Sequence, residues 1–160
     1  VRRGIALVPQ GRGCFPDLTV QENLALGAYT HSDRAASVQR MEETLALFPA
    51  LADRRTQRVG TLSGGQQQMV AVGTALMQHP RLMMLDEPSI GLAPILVQRV
   101  LETAVQINQR FGTAILLVEQ NIKTALGVAR RAYVMKSGSI VLEKPAAELL
   151  ASQESWWELY

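Results

Sequence analysis

The 160-residue sequence predicts an α/β protein: a mostly parallel sheet flanked by helices, with a helical subdomain inserted into it. Three observations predict this. Short continuous apolar runs alternate with longer segments whose apolar residues repeat at helical spacing. The run Leu82-Met83-Met84-Leu85 ends in two carboxylates, Asp86 and Glu87, where open α/β sheets place their ligands. The stretch from Cys14 to about Pro80 breaks the alternation, being helical in pattern with no strand signal. The expected organisation is one partial domain over 1–160, with an α/β core portion at 1–13 and 80–160 and a helical subdomain at 14–79.

Each element follows from its residues. Ile5-Ala6-Leu7-Val8 is a short apolar run closed by Pro9, as in a buried strand. Gly11, Gly13 and Pro16 make the next stretch a loop. Thr19 and Glu22 have the spacing of a capping box and open a helix. Val38, Met41, Leu45 and Phe48 share one face of a helix over 37–48, stopped by Pro49. The arginine-bearing segment to Arg58 reads as irregular. Residues 65–78 favour helix, and Pro80 ends it. Leu82 to Leu85 reads as a central parallel strand covered on both faces. Leu96, Val100, Leu101, Ala104, Ile107 and Phe111 repeat as on one helix over 95–111, with Gly112 as its C-cap. A second buried strand covers 113–118, and a helix 122–130. Residues 132–135 and 139–142 flank Lys136-Ser137-Gly138 as a hairpin. Pro145 suits the first turn of a last helix, 146–151.

Composition narrows the partners. A net charge of +2, on residues scattered along the chain, does not suggest nucleic acid. The cluster Arg54, Arg55 and Arg58 reads as a solvated face. Cys14 is the only cysteine, so no disulfide or cysteine-based metal site forms within the chain. It reads as a small apolar filler. No apolar run approaches the roughly 18 residues that span a bilayer. The sequence opens at Val1 without Met, on the doorstep of a strand, and its N-terminus is read as cut. Trp156, Trp157 and Tyr160 are expected to pack the last helix onto the body.

Chemistry concentrates in three places. At Leu62-Ser63-Gly64-Gly65-Gln66, Ser63 caps a helix whose first N–H groups and partial positive charge suit a phosphate. Two glycines let backbone come close to that phosphate, and Gln66 adds an amide. At the strand end, Asp86 suits Mg²⁺, which takes one or two carboxylates plus phosphates. Glu87 suits orienting or deprotonating a water. After the first strand, Gln10 can touch a metal-bound water and a moving loop. No G-x-x-x-x-G-K-[ST] phosphate loop occurs in the chain. His31 and His79 lie at no strand end and are assigned to structure or solvent.

These motifs resemble those of the ATP-binding-cassette (ABC) ATPases, which are P-loop NTPases. Leu62 to Gln66 resembles the signature motif, and Leu82 to Asp86 the Walker B strand. Glu87 stands in the place of the catalytic glutamate. Val8-Pro9-Gln10 resembles the Q-loop, and Ser89-Ile90-Gly91-Leu92-Ala93-Pro94 the D-loop. Gln120 stands where most members carry a histidine that contacts the γ-phosphate. The resemblance implies ATP and Mg²⁺ as cofactors. Glu87 and Gln120 would act in catalysis, Asp86 and Gln10 at the metal, and Gln10, Ser63, Gly64, Gly65 and Gln66 at nucleotide. The family's Walker A loop precedes the Q-loop and would lie before Val1, so this chain alone is expected to be inactive.

Pro9-Gln10-Gly11-Arg12, residues 15–20, residues 88–94 and Leu117-Val118-Glu119-Gln120-Asn121 resemble the ATPase subunits of branched-chain amino-acid importers. Urea and amide importers are closely similar. A soluble ABC protein acting on nucleic acid or ribosomes is the alternative class. The resemblance implies a head-to-tail dimer with a second, different ATPase subunit. It also implies transmembrane permease subunits and a peripheral place on the cytoplasmic face of the inner membrane, without nucleic acid. Phe15 and Leu18 would either enter a groove of the permease or pack on the helical subdomain.

Overall fold

Strands β1 (Ile5–Val8), β2 (Leu82–Asp86) and β3 (Ala114–Val118) form a parallel sheet in the order β1-β2-β3. They belong to a computed structural model that describes residues 3–11 and 13–152. Arg12, Trp156, Trp157 and Tyr160, singled out above, lie outside the described residues. Contacts divide the chain into two compact units, Val1–Glu119 and Gln120–Tyr160.

In the first unit, Ile5 pairs with Leu82 and Leu82 with Ala114, while Asp86 pairs with Val118. β2 is therefore central, and its carboxyl end lies between those of β1 and β3. One face of the sheet carries Ala6, Val8, Met83 and Leu85, all nearly fully buried. Helices α4 (Gly64–Leu76) and α5 (Pro94–Phe111) contribute to the same core. On the other face Leu82 and Met84 of β2 are half-buried, while Leu7 is 56% exposed, Leu116 46% and Val118 53%.

The helices begin and end for local reasons. Thr19 and Glu22 form the capping box that opens α1 (Val20–Gly27). α2 (Arg34–Leu47) starts three residues before Ser37 because the Asp33 carboxylate accepts the Ala36 N–H at 3.0 Å. Pro49 both stops α2 and occupies the first turn of a short α3 (Pro49–Ala52). Gly112 ends α5 at φ 67, the left-handed conformation in which glycine carries no Cβ penalty.

The segment to Arg58 forms turns without helix or strand, as expected, and is tied down by its neighbours. It runs beside residues 16–21 through Val20 N–H to Gln57 C=O, Val59 N–H to Leu18 C=O and Gly60 N–H to Pro16 C=O, all within 3.0 Å. Arg55 makes a two-pronged contact to Glu42 at 2.7 Å rather than standing alone in solvent. Val20, Leu24, Leu45, Leu51 and Val70 are almost fully buried in one core with Ala6, Val8 and Met83. Each fully buried side chain of this size contributes about 1.5–3 kcal/mol. Helices and strands of the first unit, Val1–Glu119, thus share one core.

The second unit has its own small core of Leu126, Ala146 and Leu149. It comprises α6 (Ile122–Val128), the antiparallel pair β4 (Arg131–Lys136) and β5 (Ser139–Pro145), and α7 (Ala146–Ala151). Ser137 and Gly138, at φ 51 and 80, make the two-residue hairpin turn. Arg131 on β4 pairs with Glu143 on β5.

Candidate functional site

The carboxyl ends of β1 and β2 bring two of the sequence-predicted residues together. Gln10 Nε2 donates to Glu87 Oε2 at 2.9 Å. With its nitrogen so used, the other amide atom of Gln10 is Oε1, an oxygen suited to a hard cation. Asp86, one residue before Glu87, is exposed at the end of β2. Among the described residues no group of three or more His, Cys, Asp or Glu could hold a metal ion. One carboxylate and one amide oxygen fit Mg²⁺ shared with a phosphate, not a cation caged by protein alone.

Glu87 is half-buried and adopts φ 45, a left-handed conformation that costs a non-glycine residue about 1–2 kcal/mol. Its surroundings hold it there. The Glu87 N–H donates to the Val118 carbonyl at 2.9 Å, and the Glu87 carbonyl accepts the Ile90 N–H at 3.2 Å. Two residues on, the Ser89 N–H and hydroxyl donate to the two carboxylate oxygens of Glu119 at 2.9 and 2.8 Å. Sequence reasoning missed Glu119. The available signal was a carboxylate placed directly after the apolar run 114–118.

The helix start at α4 lies at the surface, with Ser63 exposed. Ser63 Oγ accepts the Gln66 N–H, and Gln66 Oε1 accepts the Ser63 N–H at 3.0 Å. Ser63 therefore caps the helix as expected, and the S-x-x-Q spacing makes the cap a second capping box. Gln66 thus spends its oxygen on the cap. Gly64 is half-buried, while Gly65 is buried, and a Cβ there would lie 2.7 Å from Leu96 Cδ1. Packing against α5 alone therefore demands a small residue at 65. Gln67 Nε2 donates to the Val59 and Leu62 carbonyls at 3.2 Å, fixing the turn that leads into the helix.

Between these places runs the loop after Gln10. Phe15 is 56% exposed, and Leu18 is half-buried. The loop is shaped by Asn23, which is buried and was not singled out from the sequence. Its Oδ1 accepts the Phe15 N–H at 2.9 Å, and its Nδ2 donates to the carbonyls of Phe15 and Thr19 at 3.0 and 2.9 Å. A polar residue on the buried stripe Val20-Leu24-Gly27 was the sign. Cys14 Sγ meets the Gln67 carbonyl at 3.3 Å and packs on the core, in keeping with a filler role. His31 Nε2 lies 3.1 Å from the Gln78 carbonyl, a structural contact.

Gln120 opens the second unit. Its carbonyl accepts the Ile122 N–H at 2.9 Å, and Asn121 caps α6.

The family model described as ABC transporter matches residues 1–90. The high-affinity branched-chain amino acid transport ATP-binding protein BraG of Pseudomonas aeruginosa is 49% identical over 95% of the chain and 64% of its own length. The probable branched-chain amino acid transport ATP-binding protein LivF of Archaeoglobus fulgidus is 38% identical over 94% and 64%. Relatives named for import of phosphonates and of Fe(3+) ions match as well. The structure of cbiO1 from Clostridium perfringens superposes with TM-score 0.86 over 99% of the chain and 63% of its own, at 24% identity. A dimeric ATP-binding cassette, MJ0796 bound to ADP and Pi, gives 0.77 over 91% and 64%, at 25% identity. The chain thus spans about two-thirds or less of these proteins, 64% of each of the two transport relatives. With its parallel sheet and helices in the ABC ATPase (P-loop NTPase) arrangement, it belongs to the ABC transporter family of ATP-binding domains.

Proposed function

We propose that this protein is the ATP-binding and ATP-hydrolysing subunit of a membrane importer for branched-chain amino acids. The observation that carries the hydrolytic role is the 2.9 Å bond from Gln10 to Glu87 at the carboxyl edge of the sheet. It holds a carboxylate beside an amide oxygen and the exposed Asp86, the groups needed to place a water and a cation at one phosphate. The names of BraG and LivF support the substrate class.

In this reading Glu87 orients the attacking water and accepts its proton. Asp86 and Gln10 Oε1 would hold Mg²⁺, which neutralises phosphate charge when bound. The exposed start of α4, with Ser63, Gly64, Gly65 and Gln66, reads the phosphates of ATP bound on a second, different ATPase subunit stacked head to tail. Gln120, a neutral side chain, donates a hydrogen bond to phosphate without supplying charge. Phe15, exposed beyond Gln10, meets the permease. No helix among the described residues is long and apolar enough to cross a membrane. In this reading the permease holds the subunit at the cytoplasmic face. The 160 residues contain no G-x-x-x-x-G-K-[ST] loop, and alone they turn over no ATP.

Reconstituting the full-length protein with its co-purifying permease in vesicles tests the reading. ATP-dependent uptake of leucine, isoleucine or valine is expected. Uptake of urea or amides only, or co-purification with nucleic acid in place of a permease, would contradict it.

A further inference from the structure

We propose that Glu119 is a positioning residue for hydrolysis, whose carboxylate latches the turn carrying Glu87 to the end of β3 through both hydrogen-bond donors of Ser89. The inference rests on the reading of Glu87 as the hydrolytic carboxylate.

The turn after β2 has few donors with which to fix itself. Glu87 and Ser89 each carry a backbone N–H, and Pro88 between them has none. Both N–H groups go to consecutive residues at the end of β3: Glu87 to the Val118 carbonyl, Ser89 to the Glu119 carboxylate. The Ser89 hydroxyl takes the second oxygen of that carboxylate at 2.8 Å. Two hydrogen bonds from one residue to the two oxygens of one side chain fix direction as well as distance. They fix the position of Ser89 and, through the rigid Pro88, the backbone of Glu87.

Glu87 needs such fixing. A non-glycine residue at φ 45 relaxes toward negative φ unless its neighbours prevent it. Gln10 tethers its side chain from the β1 side, whereas Val118 and Glu119 tether its turn from the β3 side. The sheet thereby converts a strained residue into a carboxylate of fixed aim. Displacing such a group by about 1 Å lowers a rate about 100-fold.

The chemistry of the latch sets its test. A glutamine at 119 preserves both contacts, since its oxygen accepts the Ser89 N–H and its nitrogen donates to the Ser89 hydroxyl. An alanine preserves neither. We would make Glu119→Ala, Glu119→Gln, Ser89→Ala and the double variant Ser89→Ala/Glu119→Ala in the full-length protein. Hydrogen exchange across residues 86–93 reports the latch whether or not ATP is hydrolysed. Exchange should quicken about tenfold or more in Glu119→Ala and stay near wild type in Glu119→Gln. In steady-state assays, kcat should fall about 10–100-fold in Glu119→Ala, with KM for ATP within about threefold of wild type. Glu119→Gln should keep most of the rate. Ser89→Ala should cost less than Glu119→Ala and add nothing to it in the double variant.

Unchanged exchange in Glu119→Ala overturns the latch; should that variant fail to fold, unchanged exchange in Ser89→Ala does so. Faster exchange at unchanged kcat overturns the positioning role, as does a rise in KM alone. Equal loss in Glu119→Gln and Glu119→Ala shows that charge acts, not the two contacts, and overturns it too. A wild-type protein with protected exchange but no ATPase activity overturns the hydrolytic reading of Glu87, and the positioning role with it, while the latch stands on exchange.

Discussion

Gln10 and Glu87 lie 77 positions apart in sequence and meet across 2.9 Å at the ends of neighbouring parallel strands. Parallel pairing of β1 with β2 puts both at one sheet edge. The donor is neutral, so the contact orients the Glu87 carboxylate without neutralising it. Gln10→Ala should loosen Glu87 and remove Oε1. In the full-length protein the Mg²⁺ concentration for half-maximal ATPase activity should rise about tenfold or more, the loss expected for a group that orients a metal site. An unchanged Mg²⁺ titration would count against the role of Gln10 at the metal.

Asn23 should prove one of the costlier polar positions of the helical segment. It is 1% exposed and serves the N–H of Phe15 and the carbonyls of Phe15 and Thr19. Asn23→Ala takes the side-chain partner from the Phe15 N–H, at about 1–3 kcal/mol where water does not reach it, while the Phe15 and Thr19 carbonyls keep the N–H groups of Leu18 and Asn23. Urea unfolding should show a loss of roughly 1–3 kcal/mol, larger than for an exposed asparagine such as Asn121.

Two glycines should separate close approach of backbones from contact with a movable side chain. A Cβ at Gly27 would sit 2.1 Å from the Thr74 carbonyl oxygen, whereas one at Gly65 would meet the terminal methyl of Leu96. Backbone cannot step aside without shifting α1 from α4. Gly27→Ala should therefore destabilise by about 3 kcal/mol or more, against about 1 kcal/mol for Gly65→Ala. Adding Leu96→Ala should relieve the Gly65→Ala clash and not that at Gly27. Thermal midpoints of the four variants check this.

Two exposed carboxylates should make stability sensitive to acid. The Glu22 carboxyl lies below its ordinary value because it accepts the Thr19 N–H and hydroxyl, with Arg58 attracting it from further away. The Glu42 carboxyl is lowered by its hydrogen bonds from Arg55. For a group whose folded-state value is depressed, stabilisation is full above the unfolded value and is lost as pH falls through the folded one. Stability should thus begin to fall near pH 4.5 and continue downward. The paired variants Glu22→Gln and Glu42→Gln should flatten part of that decline in urea titrations from pH 6 to about 3.

Much of the fold was legible because its signals are local. Thr19 and Glu22, Gly112 and the Ser137-Gly138 turn all mark element ends through backbone geometry within a few residues. The strand 82–86 and its two carboxylates were legible because apolar runs and acids differ so sharply in hydration. What the chain hid is mostly long-range. Glu119 shows its meaning only when β3 pairs with β2 and Ser89 comes within reach. The demand for a small residue at 65 belongs to Leu96 on another helix. Ser63 as a cap was legible from its place before the helix, and the S-x-x-Q spacing also carries the return contact from Gln66.

Single-turnover hydrolysis by the full-length Glu87→Gln protein, assembled with the ATPase and permease subunits proposed above, tests the central claim most directly. The amide keeps the shape of the side chain and the reach to Gln10 but cannot accept a proton from water. The variant should bind ATP as the wild type does and hydrolyse it at that site about 100-fold or more slowly. Hydrolysis at the wild-type rate would contradict the account.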